Sequence, residues 1–173
     1  MKPHRLKNRF IARMLGLLPP FEKVFTSLYR PEAAETEKIP WTPVVKPLRD
    51  SKIAIVTTAG LHHREQPPFD MADPEGDPSY RVLDARKPAA DFVITHDYYD
   101  HTDAEQDINI VFPVDRLREF ETASIIGRLA DRNYGFMGHV TGRHIDTLVK
   151  ARAPEVAEGL RSDSVDAVLL TPA

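Results

Sequence analysis

Short apolar runs bounded by polar residues most constrain how this 173-residue chain can fold. Lys52–Thr57 (KIAIVT) and Val165–Thr171 (VDAVLLT) are almost continuously apolar, which is typical of strands covered on both faces. Asp91–Thr95 has the same character, and Asn133–His139 is interpreted as a further buried strand or a glycine-hinged turn. These runs predict a mostly parallel sheet.

The segments between the predicted strands show the apolar spacing of helices. Val114–Phe120 places apolar residues three apart, Ile145–Ala151 is helical by period, and Pro154 suits the first turn of a helix over Glu155–Leu160. Strands that alternate with helices predict an α/β class: a single three-layer domain with a mostly parallel sheet and helices on both faces.

The segments between these elements carry weaker signals. Thr58–His63 is expected to leave the first strand as a loop, and the Pro- and Asp-rich stretch Glu65–Pro88 to be irregular. Asp107–Phe112 alternates polar and apolar residues and predicts a short extended segment that Pro113 ends.

Residues 1–50 differ in composition from residues 51–173, which we assign to the α/β domain. They begin with an amphipathic helix and continue as a Pro-rich connector. The helix sets basic against apolar residues: Arg5, Lys7, Arg9 and Arg13 against Leu6, Phe10, Met14 and Leu17. Such a helix docks on its own domain or lies on a membrane or a partner.

Composition excludes several classes of function. The formal charge of −3 indicates no nucleic-acid-binding surface. The sequence contains no cysteine, so it holds no disulfide framework, thiolate metal site or thiol nucleophile. Its apolar runs are too short for a transmembrane segment or a signal peptide, and we expect a cytoplasmic protein.

Polar residues follow the predicted strands where ligands bind in open parallel sheets, outside the carboxyl ends. The set comprises Gly60, His62 and His63 after the first strand, His96, Asp97, Asp100 and His101 after the second, and His139 after the third. We predict that two loops converge on one edge of the sheet and form a polar crevice there.

The chemistry of this crevice has three interpretations. His62, His96, His101 and Asp103 are residue types that bind zinc. However, His96 and His101 are five residues apart and would share no face of a strand or helix, so we favour a metal-free, hydrogen-bonded wall. In the third interpretation the aspartates only cap turns.

Several blocks in a fixed order resemble one family. They are His96 to His101 (HDYYDH), Asp107 to Arg118 (DINIVFPVDRLR), Ile126 to Ala130 (IGRLA), Tyr134 to His139 (YGFMGH) and Val165 to Pro172 (VDAVLLTP). From Ile53 onward the chain resembles the selenoprotein B component of the glycine/sarcosine/betaine reductases and D-proline reductase.

This resemblance implies reductive cleavage of the C–N bond of a small amino acid or amine. It also implies a pyruvoyl group on a partner subunit and a selenocysteine or cysteine directly after the Leu-Leu-Thr-Pro block. Here only Ala173 follows Pro172, so we expect a chain truncated at a selenocysteine codon or a natural short relative.

The sequence is therefore compatible with two functions, and a third has weaker support. In the first, an enzyme component holds substrate between the Gly60–His63 and His96–His101 loops, with His139 beside them, and assembles with other reductase-complex subunits or with itself. In the second, the chain is a non-catalytic binding or assembly subunit. The third is a metal-dependent enzyme that uses the His/Asp cluster.

Overall fold

The structure is a computed structural model that describes residues 3–17 and 42–172. Most of the predicted Pro-rich connector lies outside the described residues. An N-terminal helix, α1 (Pro3–Leu17), confirms the predicted amphipathic helix. Within the described ranges, no helix combines the length and apolar composition needed to cross a bilayer.

The main sheet is built around β1 (Lys52–Thr57), which coincides with the first predicted strand. Two short strands, β5 (Arg128–Leu129) and β6 (Arg132–Phe136), pair in parallel and in succession along one edge of β1. The last strand, β7 (Ala167–Thr171), runs parallel along the other edge, from Ile53↔Ala167 to Thr57↔Thr171. The prediction of a mostly parallel sheet is confirmed.

The side chain of Asn133 bridges the interruption of the hydrogen-bond ladder between β5 and β6. Its side chain is fully buried; Oδ1 accepts from the Ile55 N–H at 2.7 Å, and Nδ2 donates to the Ala130 carbonyl at 2.9 Å. The amide thus replaces ladder hydrogen bonds that the intervening residues cannot supply.

Helices cover both faces of this sheet. The remaining helices are α2 (Thr102–Gln106), α3 (Val114–Thr122), α4 (His144–Thr147) and α5 (Ala153–Ser162), with a π-helical turn at Leu148–Arg152 and 3-10 turns at Leu48–Asp50, Ala89–Asp91 and Ile108–Ile110. Ile55 packs with Leu117 of α3 on one face. Val56, from the opposite side of β1, packs with Val156 of α5 on the other.

Three local predictions were wrong. Leu61–His63 is not a loop but a strand, β2, and the supposedly irregular stretch contains β3 (Tyr80–Asp84), which pairs antiparallel with β6. The segment Asp107–Phe112 turns instead of extending, because Asp107 Oδ1 accepts from the Asn109 N–H at 3.0 Å and closes a 3-10 turn.

The second predicted strand exists as β4 (Phe92–Ile94), but it lies outside the main sheet. It pairs antiparallel with β2, with His62 opposite Val93. The resulting two-stranded ribbon carries the loops that had been expected to follow strands of the sheet.

Candidate functional site

The carboxyl ends of β1, β6 and β7 meet at one edge of the sheet. The Thr58 N–H donates to the Thr171 carbonyl at 3.1 Å. Ala59 forms an isolated antiparallel bridge with Met137. The Thr171 hydroxyl donates to the Val111 carbonyl at 2.7 Å, which fixes the end of β7. Open α/β sheets bind their ligands at this edge.

Gly60 joins this edge to the ribbon. Its N–H donates to the Phe136 carbonyl at 2.9 Å, and its carbonyl accepts from the Thr95 N–H at 2.9 Å. Its φ is +70°, and a Cβ at this position would stand 2.4 Å from the Thr95 carbonyl oxygen. Glycine is therefore required where the His96 loop begins.

His62 is buried in the ribbon and has partners on both ring nitrogens. Nδ1 donates to the His63 carbonyl at 2.8 Å, so Nε2 accepts from the Thr95 hydroxyl, also at 2.8 Å. Burial lowers the pKa of His62, and its neutral form suits this pattern. His62 reaches the crevice through the hydroxyl of Thr95.

His63 points the other way, as neighbouring residues of a strand do. Its Nε2 accepts from the Asp84 N–H at 2.8 Å, and its ring packs on Phe92 with centroids 4.5 Å apart. Burial, with the nearby Lys87 charge, lowers its pKa. The structure does not bring His63 to the other histidines, and its substrate-binding role stays a prediction.

His96 holds a buried hydrogen-bond donor without a partner. Its Nδ1 accepts from the Tyr98 N–H at 3.1 Å, which places the proton on Nε2. That Nε2 is buried and has no hydrogen-bond partner among the described residues. Burial lowers the pKa of His96 to about 4, and the nearby His101 and His139 contribute. A neutral donor in this position can orient a ligand's acceptor atom.

His101 and Asp100 shape the turn that leads into α2. His101 Nε2 donates to the His96 carbonyl at 3.0 Å. Its Nδ1 lies 2.8 Å from Glu105 Oε1, but the two are not aligned for a hydrogen bond. Asp100 is exposed and accepts from the N–H and the hydroxyl of Thr102, which lower its pKa. Asp100 thus acts first as a turn cap.

His139 lies against the same loop from the end of β6. Its ring stacks on Tyr98 with centroids 3.8 Å apart and an interplanar angle of 18°, while Nε2 donates to the Pro74 carbonyl at 2.9 Å. His62 thus contacts Thr95, which directly precedes His96. His96 in turn contacts His101 directly and His139 through the ring of Tyr98. The two predicted loops do adjoin at the carboxyl edge.

The cation that holds this loop from outside, Arg5 of α1, was not among the predicted site residues. Asp97 is buried, and Arg5 of α1 pairs with it through Nε (2.5 Å) and Nη2 (3.3 Å). This hydrogen-bonded pairing raises the pKa of Arg5. Asp97 belonged to the predicted polar set, but no local pattern links it to Arg5, 92 positions away.

A cavity of about 710 Å³ opens beside this pair. Its lining comprises Arg5, Pro68, Phe69, Asp70, Met71, Ala72 and Thr95. The lining thus combines the guanidinium of Arg5, the carboxylate of Asp70 and the hydroxyl of Thr95 with apolar side chains. This combination suits a small zwitterion with an apolar portion.

The donors of the predicted metal set do not form a cluster in the described part of the chain. There, the His, Asp and Glu donor atoms that lie within 4.8 Å of one another belong to Asp73, Glu75 and His144. Arg143 pairs with both of these carboxylates, and His144 Nε2 lies 3.0 Å from Asp73 Oδ2. These groups form an ion-pair network that fastens α4 to the loop before β3.

Acidification should destabilise the fold through His96. Because its folded pKa of about 4 lies below the ordinary 6.5, the unfolded chain binds the proton first as pH falls. Stability is full above about pH 6.5 and is lost toward pH 4, by about 3 kcal/mol in the limit. Urea unfolding from pH 7 to pH 4 measures this slope.

The variant His96→Gln should flatten that slope, although His62 and His63 will leave part of it. Gln106→Ala, at an exposed residue of α2, removes no titratable group and is the control; it should keep the wild-type slope. An unchanged slope in His96→Gln would contradict the assignment.

A family model and curated relatives both match this chain to the same group of reductases. The family model for glycine/sarcosine/betaine reductase selenoprotein B matches residues 20–173. The D-proline reductase subunit gamma of Acetoanaerobium sticklandii is 40% identical over 131 residues, which are 76% of this chain and 52% of the relative. No solved structure matches the chain.

Two further relatives are components of related complexes. The glycine reductase complex component B subunit gamma of Symbiobacterium thermophilum is 35% identical over 137 residues, 78% of this chain and 31% of the relative. The sarcosine reductase complex component B subunit beta of Peptoclostridium acidaminophilum is 31% identical over 139 residues, with the same shares. The chain therefore spans about half or less of the length of these relatives.

Proposed function

Because the chain belongs to the glycine/sarcosine/betaine reductase selenoprotein B family, we propose that it supplies the substrate-binding part of a reductase complex. The reaction is reductive cleavage of the C–N bond of a small amino acid or amine, in the cytoplasm. The relatives are named as reductase subunits that act on D-proline, glycine and sarcosine, which sets the substrate class for the test.

The observation that carries this proposal is the convergence at the carboxyl edge. Gly60 brings the ribbon against the ends of β1 and β6, and the His96–His101 loop lies over them. The cavity next to Thr95 is lined by Arg5, which also pairs with Asp97, and by Asp70, and these groups can contact the carboxylate and the ammonium of an amino acid. His62 orients the Thr95 hydroxyl, because its Nε2 accepts that proton.

The proposed reaction also needs a redox group, a selenol or thiol, that does not belong to the described residues. A selenol or thiol after Pro172 would emerge where β7 ends, because Thr171 is bonded to Thr58 at the same edge. When present, that group supplies the nucleophile, and a pyruvoyl group on a partner subunit supplies a carbonyl for the substrate amine. The residues of this chain bind and orient the substrate and exclude water from it.

Assembly with other subunits is part of the proposal. Four of the matched relatives are named as subunits of a complex component. On this chain β7 pairs with β1, and its other edge has no strand partner in residues 3–17 or 42–172. Leu170 on this strand is 70% exposed. An apolar sheet edge of this kind fits a protein interface.

The cysteine-free chain should bind a substrate without reducing it. Calorimetry with D-proline, glycine, sarcosine and betaine should find a ligand, whereas a dithiol donor should give no turnover, since no sulfur nucleophile is present. Thr95→Val should weaken binding about tenfold, through one lost hydrogen bond and its effect on His62.

Thr122→Val, at the exposed end of α3, is the matched control and should bind as the wild type does. Turnover by the 173-residue chain alone would contradict the need for an added nucleophile. Equal affinity of the wild type and Thr95→Val would contradict the placement of the substrate.

A further inference from the structure

The N-terminal helix docks in an unusual orientation. The contacts of α1 with the domain come from one polar side: Arg5 pairs with Asp97, Asn8 hydrogen-bonds to Tyr98, and the small Ala12 is buried. These three positions fall on one side of a helix with 3.6 residues per turn. The helix is therefore held by its polar face.

The apolar face of α1 points away from the domain. Leu6, Phe10 and Met14 are spaced four apart and are 54%, 65% and 39% exposed. A helix that serves only its own fold turns this stripe toward the core. Within residues 3–17 and 42–172, packing does not bury this stripe, so this part of the chain does not account for it.

Basic residues border the stripe on both sides. By helical periodicity, Lys7 lies on one border and Arg9 and Arg13 on the other, and all three are exposed. The helix carries four of the 23 Lys and Arg residues and none of the 26 Asp and Glu. Because the whole chain has a net charge of −3, positive charge is concentrated on α1 and the remainder is acidic.

We propose that α1 is a docking surface for an anionic lipid membrane. The apolar side chains would enter the interface between headgroups and acyl chains, and the basic residues on both borders would contact lipid phosphates. A planar anionic surface meets both borders at once, which is the charge complementarity that favours lipid over a one-sided protein groove. The acidic remainder of the chain would be repelled, so the helix would face the membrane.

This inference is independent of the proposed reductase function. The family model matches from residue 20 onward, so α1 lies outside the matched region. Arg5 of α1 also lines the proposed substrate cavity, but Phe10 does not, so a variant at Phe10 can lose lipid binding without losing amino-acid binding.

Sedimentation with lipid vesicles tests the proposal on the 173-residue chain. We expect it to bind phosphatidylcholine vesicles that contain phosphatidylglycerol, to ignore vesicles of phosphatidylcholine alone, and to release at high salt. Phe10→Asp should lower the affinity at least about tenfold, and Phe10→Leu should retain it.

The control is Val45→Asp, which places the same charge at a residue that is 89% exposed and lies outside the helix. It should bind as the wild type does. Failure to bind anionic vesicles, or equal binding by Phe10→Asp, would overturn the proposal. Light scattering that shows a dimer in the wild type and a monomer in Phe10→Asp would overturn it in favour of a second copy of the chain.

Discussion

Replacing Gly60 by alanine is expected to lower the free energy of unfolding by about 3 to 5 kcal/mol. Two causes act together. Its φ of +70° is costly for any residue with a Cβ, and the added methyl group would stand 2.4 Å from the carbonyl oxygen of Thr95. That oxygen belongs to backbone, so the ribbon must move away from β1.

Urea unfolding of Gly60→Ala measures this loss, and Gly138→Ala, at an exposed glycine of the same edge, is the matched control. The control should change stability by less than about 1 kcal/mol. If the ribbon moves, substrate affinity should fall in Gly60→Ala and stay unchanged in Gly138→Ala. A stable, fully binding Gly60→Ala protein would contradict the structural role given to this glycine.

Sequence periodicity predicted the elements whose burial is uniform. Lys52–Thr57 is apolar at almost every position because both of its faces are covered, and α3 has an apolar stripe. The final strand has a similar composition, but the prediction that both of its faces are covered was wrong, since Val168, Leu169 and Leu170 are 38%, 39% and 70% exposed. The missed strands are of another kind. β3 (YRVLD) lies at the edge of the sheet, carries the charged residues Arg81 and Asp84 and has no regular alternation, and the surrounding prolines concealed it.

The ribbon could not be predicted for a different reason. Phe92–Ile94 has the composition of a buried strand, but composition does not specify a partner strand. Pairing with β2 depends on the turn at Gly60, whose left-handed backbone brings Thr95 back to its carbonyl. The two loops therefore meet for a reason other than the predicted one. Only the loop after β1 follows a strand of the main sheet, whereas the His96 loop follows β4 of the ribbon.

Residue types at the candidate site were predictable, whereas their roles were not. His62, His96 and His101 all belong to the predicted set, but sequence does not reveal which ring nitrogens have partners. The Arg5–Asp97 pair joins residues 92 positions apart, and no periodicity reports such a contact. Contacts of this length are fixed by tertiary packing, which a single sequence does not display.

Breaking the Arg5–Asp97 ion pair is expected to have the second large effect on stability. Asp97 is nearly fully buried, with 4% of its side chain exposed, and Arg5 is its cation. Removing one partner of a buried ion pair leaves an uncompensated charge, which costs about 3 to 5 kcal/mol. The chain can avoid most of that cost by releasing α1 and letting water reach Asp97.

Arg5→Met should therefore undock α1 and leave the α/β domain folded. Amide hydrogen exchange should become about 100-fold faster across Pro3–Leu17, corresponding to about 3 kcal/mol, with little change in β1. Arg9→Met, at an exposed residue of the same helix, should change the exchange less than about twofold. The double variant Arg5→Met, Asp97→Leu should recover much of the protection, because it removes the unpaired charge together with its partner. Equal protection of α1 in the wild type and Arg5→Met would show that the ion pair does not hold the helix, and Asn8 and Ala12 would then have to supply the docking energy.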